Sequence, residues 1–383
     1  MNQRSYLDHN ATAPLRPEVR EAVIGALSRP GNPSSVHAEG RAARALVEEA
    51  RGKVARLVGA KPENVIFTSG GTEANALALA APSGAASWHC YLSAIEHPSV
   101  LSGGRFYPET TTIFSVTPEG VADLAALADA LAKHKPGGWR PLVSLMAANN
   151  ETGAIQPVAE AAGIVHEAQG ILHCDAIQAA GRVKLDMAAL GADMLTLSAH
   201  KIGGPKGVGA LIISDGVTVE PLIKGGGQEG RRRAGTENVA GIVGFGVAAE
   251  LARAELKEMD TVANLRDALE AGVRRLAKDA VIFSGTVPRL PNTSCLAVPG
   301  AKAETLVIGL DLAGIAVSAG SACSSGKVEP SHVLAAMGAA PELAHSAIRV
   351  SLGFGSSNTD IQAFLVAFGE LIKRLKQSPK EAA

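Results

Sequence analysis

The chain has 383 residues, 46% of them hydrophobic, with 42 glycines and 36 Lys+Arg against 37 Asp+Glu. That length exceeds what one hydrophobic core serves, so two domains are expected, and the near-zero net charge argues against a nucleic-acid surface or electrostatic attraction to a membrane. The first residues lack the apolar stretch of a signal peptide, no run of about 18 apolar residues occurs, and Cys90, Cys174, Cys295 and Cys323 show neither metal nor disulfide spacing, so a soluble protein of the reducing cytoplasm is expected.

In chain order, Pro30-Gly31-Asn32-Pro33 breaks an early helix and a second helical pattern runs from Val36 to Val58. Short apolar runs of strand length follow at 64–68, 88–92, 142–146, 171–175 and 192–197, with a helical pattern from Val121 to Lys133 between two of them. This βαβα order predicts an α/β fold with a mostly parallel sheet covered by helices on both faces. From about Asp260 the pattern becomes α+β: a charged helix at 261–277, strands at 292–298 and 315–317, and a closing amphipathic helix. That last helix carries Ile361, Phe364, Leu365, Phe368, Leu371, Ile372 and Leu375 on one face, with Asn358 or Thr359 as N-cap. The expected division is a large domain over 15–258 and a smaller one from 1–14 with 259–383, the latter carrying a cysteine loop at about 318–330.

The segment richest in chemistry is Ser198-Ala-His200-Lys201, followed at once by Gly203-Gly204. A lysine at a strand end leading into a glycine turn suits Schiff-base chemistry with a carbonyl cofactor, or is a plain loop lysine. Asp175 ends the 171–175 run, with Gln178 three residues on; the carboxylate either caps the next helix or holds a pyridinium nitrogen protonated. Thr68-Ser-Gly70-Gly71-Thr72 reads as strand, glycine turn and helix start, hence a phosphate site or an ordinary βα turn. His97, in Glu96-His97-Pro98, is a structural histidine or one that stacks on a planar cofactor and moves protons. Asn150, in Asn149-Asn150-Glu151-Thr-Gly, lies just past a strand end, where it either reaches a ligand or serves the turn.

Arg349 sits in an apolar strand and is costly unless paired, by an internal carboxylate or by a substrate carboxylate gripped bidentately. Cys323 differs from the other cysteines, because Ser318-Ala-Gly-Ser-Ala-Cys323-Ser-Ser-Gly-Lys327 is small, polar and flexible and exposes the sulfur. Gly225-Gly-Gly227-Gln-Glu-Gly230 matches a dinucleotide fingerprint formally, but arginines follow it instead of a helix. Arg231-Arg232-Arg233 is expected to be a solvated or dimer-edge patch.

Taken together, Tyr6-Leu-Asp-His-Asn-Ala-Thr, Thr68-Ser-Gly-Gly-Thr-Glu, Glu96-His97, Asn149-Asn150-Glu-Thr-Gly, Asp175-Ala-Ile-Gln178, Ser198-Ala-His-Lys201, Arg233-Ala-Gly-Thr236 and Ser321-Ala-Cys323-Ser-Ser-Gly resemble, over essentially the whole chain, the cysteine desulfurases of the NifS/IscS type. These belong to the class V aminotransferases of the aspartate aminotransferase-like, type I pyridoxal phosphate fold. The resemblance implies a pyridoxal 5'-phosphate cofactor bound covalently at Lys201, with Asp175 at its ring nitrogen, Gln178 and Asn150 near the ring oxygen, and His97 stacked on the ring and assisting proton transfer. Gly71, Thr72, Ser198 and His200 would hold the phosphate, joined by Thr236 of a neighbouring subunit, so a homodimer is implied. Arg349 and Asn150 would bind the L-cysteine substrate. Cys323 would accept its sulfur as a persulfide on a mobile loop for a sulfur-acceptor protein such as an iron–sulfur scaffold, with a further expected role as a transient iron–sulfur ligand shared with that partner. Members often have Gly-Ala where this chain has Gly70-Gly71, a harmless change. An aminotransferase or selenocysteine lyase of the same fold would not need Cys323 in such a loop, and a non-catalytic sulfur carrier would not need Lys201 and its companions.

Overall fold

The computed structural model describes residues 4–80, 88–102, 104–134, 138–319 and 331–377. Its larger sheet has seven strands, in the order Val65–Thr68, Gly209–Ile213, Met194–Ser198, Ile171–Asp175, Arg140–Ser144, Trp88–Ser93, Thr111–Phe114. The last five run parallel; Gly209–Ile213 is antiparallel to both its neighbours. The central strands are buried at every position rather than alternately, as a sheet covered on both faces demands. On one face Val47, Val54, Leu172, Cys174, Leu195 and Phe245 share a core with the helices Ala38–Leu57 and Val239–Ala254. On the other, Ile66, Cys90, Leu142, Met194 and Leu211 share a core with Ala74 and Leu77 of the helix Gly71–Ala78. The thiols of Cys90, Cys174 and Cys295 are buried, and burial raises the pKa of each.

A second sheet is wholly antiparallel, ordered Ser318–Ala319, Ala347–Ser351, Thr293–Ala297, Val281–Ile282. Its core contains Leu269, Val273, Leu306, Ile348 and the apolar face of the helix Asn358–Gln377, where Ile361, Phe364, Leu365, Phe368 and Ile372 are buried and Leu371 and Leu375 partly so. The N-terminal segment joins this core: Ser5–Tyr6 pairs with Ile315–Ala316 and Leu7 is fully buried.

Three sequence expectations shift. The cap of the last helix is Ser357, one residue earlier than expected: its Oγ accepts from Asp360 N–H at 3.4 Å while the Asp360 carboxylate accepts from Ser357 N–H at 2.9 Å. The helix expected from Val121 starts at Leu124, because Val121–Asp123 fold back on Ser115–Thr117 and the Asp123 carboxylate then accepts from Ala125 and Ala126 N–H. Of the three arginines, only Arg231 is exposed. Arg232 Nη2 donates to the Glu63 carbonyl, and Arg233 pairs with Glu73 at 2.9 Å.

Candidate active site

Four of the strands end at one rim of the large sheet, and each hands its chain to a residue of the same cleft. Past Ser93 comes His97, past Ser144 come Met146 and Asn150, Asp175 ends its own strand, and past Ser198 come His200 and Lys201. The glycine turn arrives by register. Thr68 is opposite Gly209, and Gly209 is opposite Ser198, so the start of the Gly71 helix lies beside Ser198. Gly209 has to lack a side chain, since a Cβ there would come 2.6 Å from the Gly70 carbonyl carbon. The cleft, about 220 Å³, is lined by Gly71, Thr72, His97, Asn150, Asp175, Gln178, Ser198, His200 and Lys201, with Ser99, Met146, Ala148 and Ile177.

Lys201 Nζ donates to the carbonyls of Asn10 at 2.6 Å and Ala11 at 2.9 Å. Burial lowers its pKa to about 7, helped by the positive charges of Arg349 and Arg182, while Asp175 and Asp8 oppose the shift. A buried lysine in this state is a nucleophile near neutral pH. Asp175 is buried. Its Oδ2 accepts from Asn75 Nδ2 at 2.8 Å and its Oδ1 from Ile177 N–H at 3.0 Å, and among the described residues it has no ion-pair partner. Burial raises its pKa against those two hydrogen bonds and against the positive charge of His97 and Lys201. Glu96 lies beneath the same wall with its pKa raised well above the usual range, first by burial and then by Asp175. Of the two carboxyl groups, only Asp175 lines the cleft.

His97 caps the short helix Pro98–Leu101. Its Nδ1 accepts from Ser99 N–H at 3.1 Å, which leaves the ring proton on Nε2. Ser99 Oγ lies 2.8 Å from the same Nδ1 and accepts from Asn75 Nδ2 at 3.0 Å, so one chain of hydrogen bonds links His97 to Asp175. Burial lowers the pKa of His200 to about 4, and its Nδ1 lies 3.2 Å from Thr12 Oγ1. Gln178 reaches the cleft with its amide turned by two partners. Its Nε2 donates to the Asn10 carbonyl at 3.0 Å, and its Oε1 accepts from Arg182.

Arg349 takes the internal-pair alternative. Its Nη2 is 2.8 Å from Asp8 Oδ1, its Nη1 donates to the Asn150 carbonyl at 3.1 Å, and its buried Nε has no partner among the described residues. Thr236 is exposed and is not among the residues lining the cleft. Cys323 lies outside the described residues, and with it the expectations for its loop, its persulfide and its ligation of a cluster.

Sequence reasoning passed over five contributors: Asp8, Asn10, Asn75, Ser99 and Arg182. Asp8 and Asn10 stand in a motif quoted above, but nothing local says that they meet Arg349 and Lys201, respectively 341 and 191 residues away. Asn75 was legible: it lies one helical turn after Gly71, on the face turned to the sheet.

The model of the "Aminotransferase class-V" family matches residues 5–364. The chain belongs to that family. It is 42% identical over 384 residues to a protein of Dictyoglomus turgidum named cysteine desulfurase IscS, covering 98% of this chain and 96% of the relative. It is 42% identical over 382 residues to the cysteine desulfurase of Cereibacter sphaeroides, covering 98% and 97%. Among solved structures, the NifS-like protein of Rickettsia africae superposes with a TM-score of 0.89 at 37% identity, over 97% of this chain and all of the other. The fold is thus the type I fold of pyridoxal phosphate enzymes, and the chain falls in the family's cysteine desulfurase branch.

The residues present fit that cofactor. The buried carboxyl group of Asp175, without an ion-pair partner among the described residues, faces the cleft as a protonated ring nitrogen requires, and a lysine amine with a depressed pKa lines the same cleft. At the other end, the N-terminus of the Gly71 helix is flanked by the Thr72 and Ser198 hydroxyls, neither of which bonds another described residue. A Cβ at Gly71 would stand 2.3 Å from Ile177 Cδ1, so this turn and the wall under the ring site are packed as a pair.

Proposed function

We propose that this protein is a pyridoxal phosphate-dependent cysteine desulfurase, acting as a cytoplasmic homodimer that converts L-cysteine to L-alanine and passes the sulfur, through Cys323, to an acceptor protein for iron–sulfur clusters or other sulfur-containing cofactors. The observation that carries this reading is the convergence, in one cleft, of Lys201 with a depressed pKa and the buried Asp175, which has no ion-pair partner among the described residues, with His97 tied to that carboxylate through Ser99 and Asn75. The names of the relatives support the substrate, and the polar Ser318–Lys327 segment favours a persulfide over amino transfer.

Lys201 would hold the cofactor covalently, Asp175 would face its ring nitrogen, and Thr72, Ser198, His200 and the N–H groups of the Gly71 helix would take its phosphate, with Thr236 supplied by the second subunit. When bound, this group supplies an electron sink for the carbanion formed at the substrate α-carbon. Lys201 is the base that takes the α-proton, because its amine is largely neutral just above pH 7. His97 presents Nε2–H to the cleft and holds or returns a proton there, its pKa lowered by burial against the pull of Asp175. Arg349 and Asn150 bind the substrate carboxylate, Arg349 by exchanging part of its contact with Asp8. The Cys323 thiolate attacks the substrate sulfur. The carbon–sulfur bond breaks as the sulfur–sulfur bond forms, and the β-carbon keeps the electron pair and gains a proton, leaving alanine and a persulfide.

The test is L-cysteine turnover by the holoenzyme under reductant, counting alanine and sulfide together. Equal yields are expected, falling to background in Lys201→Ala and Cys323→Ser. Cofactor binding without alanine would overturn the reading.

A further inference from the structure

Two carboxylates outside the cofactor cleft, the buried Glu151 and the half-buried Asp8, are held by serine hydroxyls whose positions in the chain are not arbitrary. Ser331 Oγ donates to Glu151 Oε2 at 2.5 Å; both residues are almost wholly buried, and the same Oγ accepts from Leu334 N–H at 3.1 Å as cap of the helix His332–Ala336. Ser318 Oγ donates to Asp8 Oδ2 at 3.0 Å, and Asp8 Oδ1 is the partner of Arg349. Ser318 is also directly opposite Arg349 in the antiparallel pair. These serines stand just before and just after the stretch that carries Cys323.

Both anchors converge on one place. Glu151 follows Asn150, whose carbonyl accepts from Arg349, and the charge of Arg349 reaches Glu151 as well. The turn bearing Glu151 is fixed from below, since Asn149 Oδ1 accepts from the N–H groups of Glu151 and Thr152 at 2.9 and 3.0 Å. A third tie stands beside the first: His332 Nε2 lies 2.9 Å from the Glu96 carbonyl, next to His97. A buried carboxyl is costly and persists where its partner repays the desolvation. Neither Glu151 nor Asp8 lines the cofactor cleft.

We propose that Glu151 and Asp8 are positioning residues for the sulfur-accepting step: through Ser331 and Ser318 they fix both ends of the Cys323-bearing stretch to the walls of the substrate-carboxylate site. The proposal rests on the desulfurase reading. It implies that Ser318 and Ser331, on either side of that stretch, are held where the substrate carboxylate is gripped.

Two readouts on the holoenzyme separate positioning from folding. Exchange of the α-hydrogen of L-alanine with deuterated water needs Lys201 and the cofactor but no thiol. Single-turnover persulfide on Cys323, read by alkylation and mass spectrometry, needs the thiol in place. Glu151→Ala is expected to keep exchange within about two-fold of wild type and to slow persulfide formation about ten-fold or more, the scale of one lost charge-assisted hydrogen bond. Glu151→Gln, whose amide oxygen still accepts from Ser331, should restore most of it. Ser318→Ala and Ser331→Ala test the same ties from the donor side should Glu151→Ala fail to fold. Equal loss of both readouts, or persulfide formation at the wild-type rate, would overturn the proposal. If wild type exchanges alanine but forms no persulfide from L-cysteine, the desulfurase reading itself fails.

Discussion

Lys201 titrates near pH 7 because the chain surrounds it with Arg349 and Arg182 while removing water. The amine is therefore neutral in the folded apoprotein across a range where the unfolded chain, titrating near 10.4, is charged. The rate at which apoenzyme captures pyridoxal phosphate should rise with pH and level off above about 7, where an exposed lysine would keep rising; stopped-flow absorbance measures this. The stability linkage has the same sign. A lysine whose folded pKa is lowered leaves stability intact above the unfolded pKa and removes it as pH falls toward the folded one. Lys201→Met should thus stabilise the apoprotein more at pH 7 than at pH 10 in urea titrations. Asn75 acts one residue further out: Asn75→Ala leaves Asp175 Oδ2 and Ser99 Oγ without their donor, and should weaken cofactor affinity and lower kcat while changing thermal stability by only about 1–3 kcal/mol.

At the scale of the element, two loops are fastened to the large sheet by side chains. Glu229 has positive φ (48°), yet its carboxylate accepts from Phe67 N–H at 2.9 Å and pairs with buried Arg51 at 2.7 Å, which ties the glycine-rich 225–231 turn to the edge strand Val65–Thr68. Glu229→Ala leaves Phe67 N–H without its acceptor and buried Arg51 with only Glu48 and the Val65 carbonyl, and should cost about 2–3 kcal/mol, read from denaturant midpoints. The Gly71 turn is fastened by contact instead. Gly71→Ala should cost on the order of 1 kcal/mol while Ile177 is present, and almost nothing in the Ile177→Val background, because Cδ1 is the atom in the way. A double-mutant cycle checks the coupling.

The whole molecule is joined at Asn10. Its Nδ2 donates to the Asn150 carbonyl and Thr293 Oγ1, its Oδ1 accepts from Asn292, its N–H donates to Ser351 Oγ, and its carbonyl accepts from both Gln178 and Lys201. One N-terminal residue thereby links the second sheet to Lys201 and the Asn150 turn. Asn10→Ala should lower the midpoint of unfolding and raise KM for L-cysteine more than it lowers kcat, since it loosens the walls that meet at Arg349; steady-state kinetics alongside thermal unfolding measures both.

How much of this was legible from the chain divides along the range of the interaction. Local rules sufficed for the strands at 64–68, 88–92 and 171–175, the apolar face of the last helix, and the run of residues that follow strand ends, because periodicity, glycine and charge act within a few residues. Nine of the expected site residues line one cleft for that reason: each stands at the end of a strand, and a covered parallel sheet presents its strand ends on one rim. Register, by contrast, is a tertiary fact. It set the strand 140–144 earlier than its apolar run, brought Gly209 between Thr68 and Ser198, and matched Arg349 with Asp8 across 341 residues, so that the arginine has an internal carboxylate. The sequence by itself determined which residue types stand where chemistry is possible. Only the tertiary structure decided their charge states and partners, because desolvation and pairing depend on what the rest of the chain brings within a few ångströms.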